Sequence, residues 1–345
     1  MKKNIFIFLF IPFLLFAKVE QNISLDEKEI KKLVSNMIMI GFDGKKAPSF
    51  LKKNKIAGVI LFSKNISSPF QLKTLTKQLK SIQNDILIAV DEEGGRVERL
   101  KQSKGFKHFP APKYVKDPKK TYILMAKMLK KYGINLNLAP VVDLAINPNN
   151  PVIAKLDRSF GSLKEVIKKG TIFVKCMQKE GILSTLKHYP GHGSSQKDSH
   201  KGFVDVSNTW KKEELLPFMK IKSPLIMSAH IFNKNLDPKY PATLSYKINT
   251  LLLRKKLGFK GVLISDDLQM GAISKNYSFK RALMLAVNSG IDILLIGNYL
   301  DKPVKLEKII NILVELVKEK KIKVQRLKEA NQRIQKLKEL LKVRG

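Results

Sequence analysis

Cysteine is nearly absent from this chain of 345 residues, where Cys176 stands alone. One thiol cannot close an intrachain disulfide, and it excludes a cysteine-based zinc or iron–sulfur site. A chain of this length can bury most of its apolar surface without such staples. Arginine is also scarce. Only eight of the 65 basic residues are arginine; the rest are lysines spread along the chain, against 29 acidic residues, for a net charge of +36. That excess would suit a nucleic-acid partner. With no arginine cluster, helix-turn-helix or RNA-binding aromatic pattern, no nucleic-acid partner is expected, although an anionic cell-wall or membrane setting is compatible with the charge. No proline- or glycine-rich linker interrupts the middle of the chain, and no apolar run beyond the first residues is long enough to cross a bilayer. With 44 % hydrophobic and 27 % charged residues, the chain is neither disordered nor collagen-like.

Residues 1–17 carry the features of a secretory signal. Lys2 and Lys3 precede an apolar run from Ile5 to Phe16, and Ala17 is a candidate for the residue before cleavage. The expectation is an exported, periplasmic protein, with an uncleaved N-terminal anchor as the alternative. No cysteine follows to carry a lipid. After cleavage no membrane span remains, and a monomer is expected. Residues 18–345 read as one domain. Ser24-Leu-Asp-Glu27 has the spacing of a capping box before its first helix, and the amphipathic stretch Leu306–Val343 suggests one or two closing helices.

Between these ends, apolar, β-branched runs alternate with segments of helical period. Strands are expected at Met37–Gly41, Gly58–Phe62, Ile86–Val90, Leu136–Val142, Leu183–Leu186, Leu225–Ser228, Val262–Ser265 and Ile291–Ile296. Helices are expected at Tyr122–Tyr132, Leu163–Lys179, Tyr246–Leu257 and Phe279–Ser289. Eight such strands point to an α/β fold, a single-domain (β/α)8 TIM-like barrel, with a doubly wound open sheet as the alternative. Gly94-Gly95 lacks the spacing of a dinucleotide-binding turn. Polar residues gather where the strands end: Asp91, Asp143, Lys187 with His188, His230, and Asp266 with Asp267. In a barrel those ends face one pocket.

Lys187 to His200 is the densest segment, with three of the five histidines in 14 residues. Zinc held by His188 and His192, with His200 or Asp198, is one reading. Against it, H-x3-H is a helical spacing, and Pro190 and Gly191 forbid a regular helix there. The other reading is acid–base work, in which Asp198 holds His200 in one tautomer and steadies its cation. Asp266 ends a buried strand and can act as a nucleophile, while Asp267 suits the cap of the next helix. Asp91 can accept hydrogen bonds from neighbouring sugar hydroxyls, braced by Arg96 or Arg99. Lys187 alone would also fit Schiff-base chemistry, but that leaves Asp266 and the Asp198–His200 pair without a role.

These motifs together resemble glycoside hydrolase family 3, in particular its single-domain β-N-acetylglucosaminidases of peptidoglycan recycling. The likeness runs from Met37-Ile-Met-Ile-Gly-Phe-Asp43 through Asp91-Glu-Glu-Gly-Gly-Arg96 and Gly133-Ile-Asn-Leu-Asn-Leu-Ala-Pro-Val-Val-Asp143. It continues with Asn147-Pro-Asn-Asn-Pro-Val152, Asp157-Arg-Ser-Phe-Gly161, the Lys187–His200 segment and Ile264-Ser-Asp-Asp-Leu268. The resemblance implies a (β/α)8 barrel, Asp266 as nucleophile, His200 as general acid/base, and Asp198 as its partner. It implies sugar contacts from Asp91, Arg99, Arg158, Lys187 and His188. The implied activity is retaining removal of terminal β-linked N-acetylglucosamine from muropeptides or cell-wall glycan, with no metal or organic cofactor. Other sugar specificity, phosphorolysis at a histidine acid/base, or a non-catalytic glycan-binding barrel are the alternatives. Relatives that use a glutamate acid/base take it from a second domain. Close Gram-negative relatives are cytosolic, so an export signal is a departure.

Overall fold

The strand runs are short and, except for polar residues in those that begin at Leu136 and Leu183, mostly apolar, as suits strands covered on both faces. In the computed structural model, which describes residues 26–299 and 303–342, they form eight parallel strands: β1 (Ile38–Ile40), β2 (Gly58–Ile60), β3 (Leu87–Val90), β4 (Leu136–Asn137), β5 (Leu183–Tyr189), β6 (Leu225–Ser228), β7 (Val262–Ser265) and β8 (Leu294–Ile296). Their order is β8-β1-β2-β3-β4-β5-β6-β7. The bridge from Ile264 on β7 to Ile293 beside β8 draws the two ends together. The expected TIM-like barrel is therefore the observed fold, and the open sheet is excluded.

Most strands are a residue or more shorter at one end than expected, and two of the differences shape the site. β4 stops at Asn137 instead of Val142, because Pro140 cannot donate to a ladder. The chain still runs alongside β5, where Val142 N–H donates to Lys187 O at 2.8 Å. β5 extends past Leu186 to Tyr189 through an irregularity in its pairing with β6. Lys187 and His188 thus lie within the strand, at a bulge of the kind that re-aims side chains beside active sites.

Helices cover the barrel. Leu163–Lys179 and Phe279–Ser289 match their expected bounds. The helix expected at Tyr122 begins at Pro118, capped by Asp117 with proline in the first turn. Residues Lys247–Lys256 wind as a π-helix. Two closing helices, Leu306–Lys318 and Val324–Lys342, follow β8. The first helix, Glu27–Ser35, is capped by Asp26, whose carboxylate accepts the Glu29 N–H at 2.7 Å. The expected Ser24 cap and the signal-like residues 1–17 lie outside the described residues.

Candidate active site

The strand ends define a pocket of about 340 Å³. Its lining includes the eight residues to which the resemblance assigns a catalytic or sugar-binding role: Asp91, Arg99, Arg158, Lys187, His188, Asp198, His200 and Asp266. Asp143, His230 and Arg96, also noted from the sequence, are not among the lining residues.

Its floor is ionic. Lys187, inside β5, reaches Asp91 at 2.8 Å and Glu93 at 2.6 Å. Arg99 holds the other oxygen of Asp91 at 2.9 Å. Arg158 grips Glu93 with two nitrogens, at 2.8 and 2.9 Å, the two-pronged geometry that fixes a carboxylate in place. Burial alone would raise both carboxyls; Lys187 and Arg99 hold Asp91 far below its ordinary range, and Arg158 and Lys187 bring Glu93 to about 2. Arg96, the other candidate brace, is exposed. Glu92 is buried and carries no such cation. It accepts the Arg99 and Leu100 N–H groups at 2.8 and 3.1 Å, and burial pushes its carboxyl up to about 8. A neutral acid therefore fastens the turn that carries Arg99.

Asp143, after β4, organises the histidine segment. It accepts His188 Nδ1 at 2.7 Å and the His192 backbone N–H at 2.8 Å. His188 keeps its other ring nitrogen for the pocket, and the Lys187–His188 peptide is cis. His192 is buried, with Nδ1 on the Ser195 hydroxyl and Nε2 3.3 Å from the Ser199 hydroxyl. Burial, with His188 adding, lowers it to about 4. A neutral imidazole with both nitrogens on hydroxyls is packed as a structural support, so the zinc reading loses one of its ligands.

The segment then rises to the rim. Gly191, at φ 121°, leaves room for Glu214, whose Cβ would otherwise meet its own at 2.4 Å. The Glu214 carboxyl accepts the Gly193 N–H at 3.0 Å, and burial pushes it up to about 7. At the rim Asp198 Oδ1 lies 2.8 Å from His200 Nδ1 and also accepts the His200 backbone N–H at 2.9 Å. With Nδ1–H on the carboxylate, Nε2 is the nitrogen left for the pocket. The His200 side chain is 57 % exposed.

Asp266 follows β7 with its backbone N–H on Ser228 O. Burial opposes its charge, but His230, His188 and His200 around it, with the Asp267 N–H at 2.8 Å, hold its carboxyl below the ordinary value. Asp267 departs from expectation: the short helix Gly271–Ser274 is preceded by Met270 at its cap position. Asp267 instead accepts the Gly297 and Gln269 N–H groups, at 3.0 and 3.1 Å, and ties β7 to the end of β8. Burial, with the neighbouring Asp266 charge, raises it to about 6. The two adjacent carboxyls are thereby pushed apart, and only Asp266 is the ready anion. His230 stands behind them, buried, with Nε2 on Asp267 O at 2.8 Å and Nδ1 on the Thr243 hydroxyl at 2.9 Å.

Sequence reasoning noted Glu93, Asp143 and His192 without giving them these roles. Tyr299, stacked on Phe62 at 4.7 Å at the pocket mouth, was not noted.

The model described as the N-terminal domain of glycosyl hydrolase family 3 matches residues 25–337. The chain is 37 % identical over 278 residues to beta-hexosaminidase A of Pseudoalteromonas piscicida, covering 71 % of this chain and 46 % of that one. It is 34 % identical over 286 residues to a beta-hexosaminidase of Alkalilimnicola ehrlichii, covering 76 % and 80 %. A solved family 3 beta-N-acetylglucosaminidase from Paenibacillus sp. str. FPU-7 superposes with a TM-score of 0.83 at 31 % identity, over 91 % of this chain and 63 % of that one. The chain thus spans less than half of the first relative's length and most of the second's.

Proposed function

The chain belongs to glycosyl hydrolase family 3, and from that premise we propose that it is a retaining exo-β-N-acetylglucosaminidase that trims terminal β-linked N-acetylglucosamine from peptidoglycan fragments. One observation carries the reading. An ionised, buried Asp266 shares its pocket with a rim histidine whose Nδ1 is held by Asp198. That is the nucleophile and acid/base a two-step displacement requires.

In the first step an Asp266 oxygen attacks C1 of the sugar. The bond from C1 to the leaving oxygen breaks, its electron pair stays on that oxygen, and the oxygen takes the Nε2 proton of His200. In the second step His200 takes a proton from water. The hydroxide attacks C1 and Asp266 leaves as carboxylate. Asp198 stabilises the imidazolium that gives its proton to the leaving oxygen in the first step and that water deprotonation re-forms in the second. The Asp91–Lys187–Glu93–Arg158 network and Arg99 offer fixed acceptors and donors to the sugar hydroxyls, and His188 joins them from β5. The names of the relatives support the N-acetylated sugar, as does a histidine rim segment in the role that other relatives assign to a second domain.

The test is release of nitrophenol from the β-N-acetylglucosaminide beside the β-glucoside, for wild type and His200→Ala. Turnover of the N-acetyl substrate alone, lost in the variant, is the expected result. Turnover of the glucoside alone would overturn the specificity. Addition of phosphate is expected to yield free sugar and no sugar phosphate.

We further propose that the protein is exported to the periplasm, supported by Lys2, Lys3 and the Ile5–Phe16 run, and that it is a monomer there. Intact mass of the mature chain, cell fractionation and size-exclusion chromatography test this; activity confined to the cytosol would contradict it.

A further inference from the structure

We infer that Gly271 is a positioning residue for His200: its missing side chain lets the tip of the rim segment dock on the turn that follows the nucleophile strand. This rests on the acid/base reading of His200 above. The Gly271 N–H donates to His200 O at 3.1 Å, and the Ala272 N–H donates to Ser199 O at 3.0 Å. Lys275 Nζ adds a bond to Lys201 O at 2.8 Å. A Cβ on Gly271 would stand 2.7 Å from His200 O, 2.9 Å from Lys201 C and 3.0 Å from Lys201 O. All three are main-chain atoms, so no side chain can swing away to make room. Gly271 itself has an ordinary φ, so alanine there strains no backbone and its effect is the contact alone.

The tip is held from the other side as well. The buried Ser199 hydroxyl lies 3.3 Å from His192 Nε2, and the His192 backbone is fixed on Asp143. His200 is exposed, and its side chain is held at Nδ1 by Asp198 of the same tip. Its reach to the leaving oxygen is therefore set by these two attachments. One attachment belongs to the segment that also carries Asp266, five residues before Gly271. Nucleophile and acid/base are joined into one unit by two main-chain hydrogen bonds.

The experiment compares kcat/KM of wild type, Gly271→Ala and His200→Ala on N-acetyl-β-glucosaminides of dinitrophenol and of a simple alkyl alcohol. Dinitrophenolate leaves without a proton; an alkoxide does not. For Gly271→Ala the alkyl substrate is expected to lose about 100-fold, as for a displacement of about 1 Å, while dinitrophenyl glycoside stays within about threefold. Azide, which attacks the glycosyl-enzyme without a base, is expected to restore kcat on the dinitrophenyl substrate. Ser199→Ala frees the tip from the other side and is expected to show the same pattern at about tenfold, which keeps the question open to test if Gly271→Ala does not fold. Equal losses on both substrates, or no loss on either, would overturn the inference. If His200→Ala also lacks the leaving-group dependence, the acid/base assignment itself fails; if only Gly271→Ala lacks it, the positioning role fails alone.

Discussion

The floor of the pocket and its rim are built by opposite means. On the floor Asp91 and Glu93 each hold two cations, and Lys187 and Arg158 are almost wholly buried. Charges taken out of water at this cost persist only when each is matched and hydrogen-bonded, and such a network has one arrangement. At the rim, Asp198 and His200 make one side-chain hydrogen bond two residues apart, with the imidazole mostly in solvent. An exposed pair of this kind contributes little to stability. The floor can therefore present a fixed pattern of donors and acceptors to a sugar, while the rim carries His200, the proposed proton donor, on a segment whose tip accepts hydrogen bonds from the Gly271 and Ala272 N–H groups. On the proposed mechanism, recognition is preformed in the barrel and proton transfer is brought to it.

The sharpest test of the proposed division is at Asp266, the proposed nucleophile, which belongs to neither part. Asp266→Asn should lower kcat by about 10⁴-fold or more while leaving sugar binding intact, as measured by steady-state kinetics beside titration with the product sugar. On the floor, Arg158→Ala strips Glu93 of its two-pronged partner. The expected cost is about 3–5 kcal/mol of folding stability together with weaker sugar binding, read from denaturant unfolding and KM. At the rim, His200→Ala should slow substrates with poor leaving groups about 10²- to 10³-fold with an unchanged melting temperature. If Arg158→Ala melted like wild type, or His200→Ala lost stability, the contrast between floor and rim would be wrong.

The smallest effect sharpens the comparison through pH. Asp91 and Glu93 have depressed folded values, so their stabilisation is complete above their unfolded values. It is lost as pH falls through about 4 towards 2. Glu214 and Glu92 have folded values raised to about 7 and about 8. Their sign is the reverse: stability is present near pH 4 and is lost as pH rises through 7 to 8. Maximum stability is therefore expected on the acid side of neutrality. Glu214→Gln should remove part of the alkaline decline, about 3 kcal/mol between pH 4.5 and 8, in urea unfolding across that range. A variant with the same alkaline slope as wild type would show that Glu214 does not titrate there.

Much of this was legible in the sequence because the barrel writes itself in short apolar runs that each end in a polar residue. Val262–Ser265 with Asp266 is the plainest case, and its bounds agree with the structure residue for residue. The misreadings arise where backbone geometry outweighs local pattern. Pro140 cuts β4 short, and the bulge after Leu186 draws Lys187 and His188 into β5. Asp267 has the composition of a helix cap, yet the pull of the Gly297 N–H across the barrel seam decides its use. Glu93 and Asp143 hold their partners from 65 and 45 residues away in the chain. No local motif reports such pairings, and only the closed ring brings them together. Tyr299 gave no signal at all, since one aromatic residue after a strand is ordinary.

The central claim is that Asp266 and His200 divide the chemistry, one bonding to the sugar and the other moving the proton. The direct measurement is peptide mass spectrometry of His200→Ala after reaction with dinitrophenyl N-acetyl-β-glucosaminide. The expected result is a burst of dinitrophenol with one N-acetylhexosaminyl unit on the peptide that contains Asp266, released by azide. A burst with the label on another residue, or turnover with no labelled peptide at all, would contradict it.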